Sequence, residues 1–272
     1  MTARYLTAAA LRDLDARLTE HDLAVLRRVS DLRFVSGSQL TRLHYADSGD
    51  PRLNARAARR ALLRLVRLDA LARLPRPIGG VRSGSAGFVY YLGVGGQRLA
   101  MTRGWQPERR RRRSLTPGTL FLHHSLQVAE LHTLLVECDR SRSIELLELD
   151  AEPACWRSYK AAGGQRCTLK PDSYARLGVG AFEDSYFFEI DRGTEGSQTI
   201  VRQLAIYVAY HLSGIEQAER SVFPKALWLT NTAERVRVIE DCVRRLPGQA
   251  RELFQVVRFD DALAVIRGAN SE

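Results

Sequence analysis

Leu53-Asn54-Ala55-Arg56-Ala57-Ala58-Arg59-Arg60-Ala61-Leu62-Leu63-Arg64-Leu65-Val66-Arg67-Leu68 carries two patterns on one helical period. Ala58, Ala61, Leu62, Leu65 and Leu68 recur along one side, which predicts an amphipathic helix over 53–68 held by an apolar face. Arg56, Arg60, Arg64 and Arg67 stand at i, i+4, i+8 and i+11 on another side, with Arg52, Asn54 and Arg59 flanking them. The turn cluster Asp47-Ser48-Gly49-Asp50-Pro51 starts this helix. Further upstream, Thr19 as N-cap with Glu20 and Asp22 in the first turn opens a helix through Leu23, Leu26 and Val29 that ends near Asp31. A break at Phe34-Val35-Ser36-Gly37 precedes a short helix capped by Ser38, with Leu40 and Leu43 turned inward.

Downstream the period changes to that of strands. Leu71–Leu74 and Phe88–Leu92 read as two strands joined by the Gly- and Ser-rich stretch 75–87, which carries Arg76 and Arg82. A short helix over 93–100 closes the region. Three helices followed by a long-tipped hairpin is the order of a winged helix-turn-helix. A helix anchored by its apolar side and presenting guanidinium groups suits a major groove: Arg bonds guanine bidentately, Asn bonds adenine, and the remaining cations neutralise phosphates. Arg52, Asn54, Arg56, Arg59, Arg60, Arg64 and Arg67 are therefore the expected DNA-binding residues, with Arg76 and Arg82 on the wing. The competing reading is a solvated basic face on a protein-interaction domain.

Charge location favours nucleic acid. Residues 1–115 hold 23 Arg, no Lys and 9 Asp plus Glu, a balance of +14; residues 116–272 hold 18 Arg plus Lys and 22 Asp plus Glu, a balance of −4. An excess of Arg over Lys also fits codon bias, but bias does not explain why the positive charge gathers in one half. No aromatic platform of the kind used on single strands stands out. Residues 103–118 contain Pro107, Pro117 and the run Arg109–Arg113, and read as an Arg-rich linker. No run of about 18 apolar residues spans a bilayer, and Met1–Leu18 lacks the apolar stretch of a signal peptide. A cytoplasmic protein is the default expectation. Cys138, Cys155, Cys167 and Cys242 form no C-x-x-C pair, and no spacing to His123, His124 or His132 argues for zinc.

The second half alternates helix and strand. Helices are expected over 120–139, 197–212, 233–246 and from Asp260, and strands over 144–149, 167–177, 185–191, 226–230 and 253–259. The fold class is therefore mixed, α+β or α/β: a winged helix-turn-helix over 1–102, the linker over 103–118, and an α/β sandwich around a mixed sheet over 119–272. Carboxylates stand where strands should be buried. Asp172 within one strand would lie beside Glu189 on the next, where Glu189 and Asp191 share a face, and Glu130 on the preceding helix could approach them. Clustered carboxylates repel unless a proton or cation joins them. Asp172 and Glu189 are thus candidate ligands for Mg²⁺. A structural ion-pair cluster at a strand end is the plainer alternative.

Lys170-Pro171-Asp172-Ser173-Tyr174 followed by Phe188-Glu189-Ile190-Asp191-Arg192-Gly193-Thr194-Glu195 resembles the replication-relaxation family. Leu126–Leu131, Phe223-Pro224 with Leu227–Thr230, Leu18–Asp22 and Tyr90–Leu92 extend the resemblance over nearly the whole chain. It implies a protein of plasmids and other mobile elements, with an N-terminal winged helix and a C-terminal half similar to the PD-(D/E)xK nuclease fold. On that pattern Glu130, Asp172 and Glu189 would be catalytic, and Asp191 stands where the pattern places Lys. The following helix offers Arg202 and Gln203 instead. Lys normally orients the water and offsets developing charge, which Asp cannot do. The expected function is a DNA-binding accessory protein in replication, relaxation or transfer. Its partners would be double-stranded DNA, relaxase or replication proteins and a second copy of the chain, with no membrane. The alternatives are a Mg²⁺-dependent endonuclease and a winged-helix repressor with a C-terminal dimerisation domain. Slow or absent cleavage is the expectation.

Overall fold

The structure is a computed structural model that describes residues 6–74, 87–105, 117–161 and 163–268. The chain divides into two compact units, Met1–Thr133 and Leu134–Glu272. Arg76, Arg82 and Arg109–Arg113 lie outside the described residues.

The first unit begins with α1 (Ala8–Ala16), a helix the apolar period did not predict, since Leu14 is its only buried residue. Next come α2 (Glu20–Leu32), the two-residue strand β1 (Val35–Ser36), α3 (Gly37–His44) and α4 (Pro51–Arg67). Thr19 caps α2 as expected, in a reciprocal capping box with Asp22. The cap of α3 is Ser36, not Ser38: Ser36 Oγ accepts from the Gln39 amide while Gln39 reaches back to the Ser36 amide. Asp50 caps α4 and Pro51 occupies its first turn, where a missing N–H costs nothing. The strands β2 (Leu71–Arg73) and β3 (Val89–Leu92) pair antiparallel, and β1 adds to the outer edge of β3 in the order β1-β3-β2. The segment read as a break is therefore a strand.

The helix α5 (Val94–Thr102) packs close to the turn that ends α4. A Cβ at Gly96 would fall 2.0 Å from the Ala70 carbonyl oxygen, so only glycine permits that approach. Val25, Leu26, Val29, Leu40, Ala58, Leu62, Leu65 and Leu71 are buried and form the apolar interior beneath the sheet.

The helix α6 (Thr119–Arg140) contains the unit boundary. After it the second unit runs β4 (Glu145–Ala151), β5 (Arg157–Lys160), β6 (Arg166–Leu169), β7 (Ser173–Val179), β8 (Phe182–Asp191), α7 (Ser197–Leu212), α8 (Ile215–Arg220), β9 (Lys225–Thr230), α9 (Ala233–Arg244), α10 (Gly248–Arg251), β10 (Phe254–Arg258) and α11 (Ala262–Gly268). Five strands make a mixed sheet in the order β10-β9-β8-β7-β4. The β4/β7 and β7/β8 pairs are antiparallel, and β8/β9 and β9/β10 are parallel. Both faces are buried, as alternate residues show: Tyr174, Phe187, Ala226 and Trp228 on one side, Ala175, Phe188, Leu227 and Leu229 on the other. Against the first side pack Ile200, Leu204, Tyr207 and Tyr210 of α7 with Ile239 and Cys242 of α9.

The stretch 167–177 is not one strand. It is broken at Lys170-Pro171-Asp172 into β6, which pairs with β5 as a separate hairpin, and β7, which joins the main sheet. Pro171 lacks the N–H that a continuous ladder would need.

Candidate nucleic-acid interface and buried carboxylates

On α4 the apolar stripe and the basic face separate as their spacing implies. Ala58, Leu62 and Leu65 are buried, and Arg52, Arg56, Arg59, Arg60, Arg64 and Arg67 are exposed. Their situations differ. Arg64 donates through Nη2 to both oxygens of Asp22, a carboxylate 2% exposed that also accepts from Thr19. Burial raises the Asp22 pKa, but the Thr19 amide and the Arg64 guanidinium outweigh it and hold the carboxyl below its ordinary value. Arg64 thus ties α4 to α2. Asn54 is likewise occupied: its Oδ1 accepts from the Ser48 hydroxyl at 2.6 Å and the Ser48 amide at 3.2 Å, which organises the turn before α4. Among the described residues Arg52, Arg56, Arg59, Arg60 and Arg67 have no carboxylate partner, so these five guanidinium groups are available to an outside anion. At the base of the hairpin Arg73 stacks over Phe88, 4.2 Å from the ring centroid.

Glu130 belongs to the first unit. Arg42 Nη1 donates to one of its oxygens at 2.5 Å and Gln39 Nε2 to the other at 2.9 Å. Both donors come from α3, so Glu130 fixes α6 against that helix.

In the second unit Asp172 and Glu189 do come close. Asp172 Oδ2 accepts from the Ile190 amide at 2.7 Å, and its backbone amide donates to the Phe188 carbonyl. The Asp172 side chain therefore continues the β7/β8 ladder past Pro171. Glu189 sits between, pointing to the α7 side, where the Tyr207 hydroxyl donates to its Oε1 at 2.6 Å. Burial, reinforced by the Asp172 charge, pushes the Glu189 carboxyl well above the usual carboxylate range. Tyr207 is raised well above its own ordinary value by burial and by Glu189.

Asp191 is engaged elsewhere. Arg235 of α9 grips it with Nε at 2.6 Å and Nη2 at 2.7 Å, while the Gly193 amide donates to Oδ1 at 2.7 Å. The side chains of Asp191 and Arg235 are 3% and 14% exposed, so the pair is buried. Arg235 Nη2 also donates to the Glu195 carbonyl, clamping the loop after β8. Among the described residues no group of three or more His, Cys, Asp or Glu side chains could hold a metal ion. The four cysteines are unbridged, and the Cys155 thiol donates to the Pro171 carbonyl.

A family model described as replication-relaxation matches residues 26–226. The chain belongs to the replication-relaxation family. The match runs from α2 into β9, so it takes in both the basic helix and the Asp172–Glu189 strands. Membership points to a role in the replication or relaxation of mobile elements. No curated protein and no solved structure matches the chain. Among the described residues no helix is long and apolar enough to cross a membrane.

Sequence reasoning missed the partners rather than the faces. Arg42, Arg64 and Arg235 meet carboxylates 88, 42 and 44 residues away, and spacing along one element carries no trace of that. It also missed a second buried cluster, in which Arg157 donates to Glu216 at 3.1 Å and the Tyr210 hydroxyl donates to the same carboxylate.

Proposed function

We propose that the protein is a DNA-binding accessory protein of a plasmid or other mobile element, acting in replication, relaxation or transfer of its DNA. The first unit works as a winged helix: α2, β1, α3, α4 and the β2/β3 hairpin follow in that fold's order. The helix α4 enters the major groove of duplex DNA. The observation that carries the reading is its row of exposed, unpartnered arginines opposite a buried stripe, in a half of the chain with a balance of +14. Arg52, Arg56, Arg59, Arg60 and Arg67 contact DNA, and Arg64 keeps α4 in place through Asp22. Arg56→Ala and Arg60→Ala should each weaken binding to a duplex probe and lower the salt dependence by about one unit of slope. Unchanged affinity and slope in both variants, read by fluorescence anisotropy over a salt series, removes α4 from the interface.

The second unit serves as a PD-(D/E)xK-like scaffold without efficient cleavage. Its order of α6, an antiparallel run β4/β7/β8, α7 and parallel β9 fits that layout. Its carboxylates are spent internally: Glu189 on Tyr207, Asp172 on the Ile190 amide, and Asp191 on Arg235. Asp191 also adds a charge where transition-state neutralisation needs a cation. Supercoiled plasmid incubated with the protein and Mn²⁺ should show no nicking beyond that of Asp172→Ala and Glu189→Ala. Robust turnover by the wild type, lost in both variants, would instead establish the endonuclease.

A further inference from the structure

The hairpin β5/β6 stands apart from the main sheet, and its register divides its side chains into two sets. Ser158 faces Thr168 and Lys160 faces Arg166, alternating with the pairs Arg157/Leu169 and Tyr159/Cys167. The second set is inward. Tyr159 and Leu169 are buried, Tyr159 packs 5.1 Å from Tyr210, and Arg157 is held by the fully buried Glu216. The first set is outward: Ser158, Lys160 and Arg166 are exposed, and Lys170 is exposed at the base, its Nζ 5.0 Å from the Trp156 ring centroid.

The outward face carries cations and no carboxylate, and its two hydroxyls, on Ser158 and Thr168, lie 3.4 Å apart within hydrogen-bond reach of each other. Residues 154–171 contain Arg157, Lys160, Arg166 and Lys170 and no carboxylate, inside a half of the chain whose balance is −4. Lys160 and Lys170 are two of the three lysines in the chain. Two cations directly opposite on paired strands destabilise a hairpin. Among the described residues neither Lys160 nor Arg166 has a carboxylate to relieve that repulsion.

We infer that this face is a second duplex-DNA contact, in which Lys160, Arg166 and Lys170 neutralise backbone phosphates and Ser158 and Thr168 donate to them. The inference rests on the reading that the protein binds DNA, and adds a surface on the second unit to α4 on the first. A two-stranded ribbon is narrow enough for a major groove about 12 Å wide. The ammonium of Lys is a mobile point charge suited to phosphate oxygens. Anchoring through Arg157, Glu216 and Tyr210 holds the ribbon before any ligand arrives, so little ordering entropy is lost on binding. An acidic protein partner fits the charge but gives no reason for a ribbon of groove width.

The test uses the full-length chain, a duplex probe, a salt series and thermal melts of the same preparations. Lys160→Ala with Arg166→Ala should lower the salt slope by about two units and the affinity by roughly tenfold, with the melting temperature unchanged or raised. Arg166→Glu separates stability from binding. The new carboxylate faces Lys160, so the melting temperature should rise while DNA affinity falls below that of the alanine pair. Native melting with unchanged slope and affinity in both hairpin variants overturns the proposal, and is what an acidic protein partner predicts. Arg56→Ala with Arg60→Ala is the comparison. Loss in that variant alone overturns the hairpin contact and leaves α4 standing; loss in the hairpin variants alone supports the contact and overturns the α4 assignment. A wild type that does not bind duplex overturns both.

Discussion

Arg235→Met should lower the unfolding free energy by about 3–5 kcal/mol, because it strands the buried carboxylate of Asp191 without its cation. Among the described residues Arg235 is the one ion-pair partner of Asp191, and both of its bonds are short, at 2.6 and 2.7 Å. The bidentate geometry raises the Arg235 pKa further, so the guanidinium stays charged throughout the accessible range. Arg235→Met with Asp191→Asn should recover more than half of the loss. The neutral amide no longer needs a cation, and its oxygen still accepts from the Gly193 amide. Denaturant titration of the single and double variants gives the cycle. A loss below about 1 kcal/mol for Arg235→Met, at the scale of an exposed pair, would show that the pair does not brace β8 against α9. The same bond engages Asp191, two residues after Glu189, with a side chain of α9.

How much of this was legible follows from what periodicity encodes. Helices α2, α4 and α7 each bury one stripe, and the helices expected from the Thr19 cap to near Asp31, over 53–68 and over 197–212 end within two residues of the observed ones. The edge between basic and apolar sides of α4 was legible for the same reason. Helix α1 was not, since an alanine-rich segment burying Leu14 alone has almost no stripe to detect. The misplaced cap of α3 is different: Ser36-Gly37-Ser38-Gln39 carries the Ser-x-x-Gln signature, which favours Ser36 over Ser38. Merging β6 with β7 gave too little weight to Pro171, and with it went the β5/β6 hairpin and its basic face.

The carboxylates show where one-dimensional reading stops. Placing Asp172 beside Glu189 needed only the alternation of strands and adjacent pairing, and those two do lie together. What each carboxylate is bonded to depends on elements tens of residues away. Glu130 meets α3, Glu189 meets α7 and Asp191 meets α9. Each of these three carboxylates is hydrogen-bonded to a side chain of another element, which spacing along its own element does not show.

His132→Gln should remove an acid sensitivity that the first unit otherwise carries. His132 is 1% exposed, and burial, with the Arg28 guanidinium adding repulsion, pushes its pKa down to about 3 from an ordinary value of 6.5. The folded chain therefore keeps this imidazole neutral through the range in which the unfolded chain protonates it. Below pH 6.5 the unfolded state binds one more proton, so stability falls as pH falls, by about 1.4 kcal/mol per unit. The loss reaches about 4–5 kcal/mol near the folded pKa, and above about pH 7 the group contributes no slope. Asp22, whose pKa is lowered in the fold, adds its own loss only at lower pH, as its ion pair with Arg64 is titrated. Between pH 6.5 and 5 the two windows separate and His132 dominates. The readout is thus the difference between wild type and His132→Gln at two pH values, which cancels the packing change made by the substitution itself. From pH 7 to pH 5 the variant should gain about 2 kcal/mol relative to wild type in denaturant titrations. A difference that stays constant over that range would mean His132 is protonated in the folded protein, and its burial would then need a carboxylate partner to account for it.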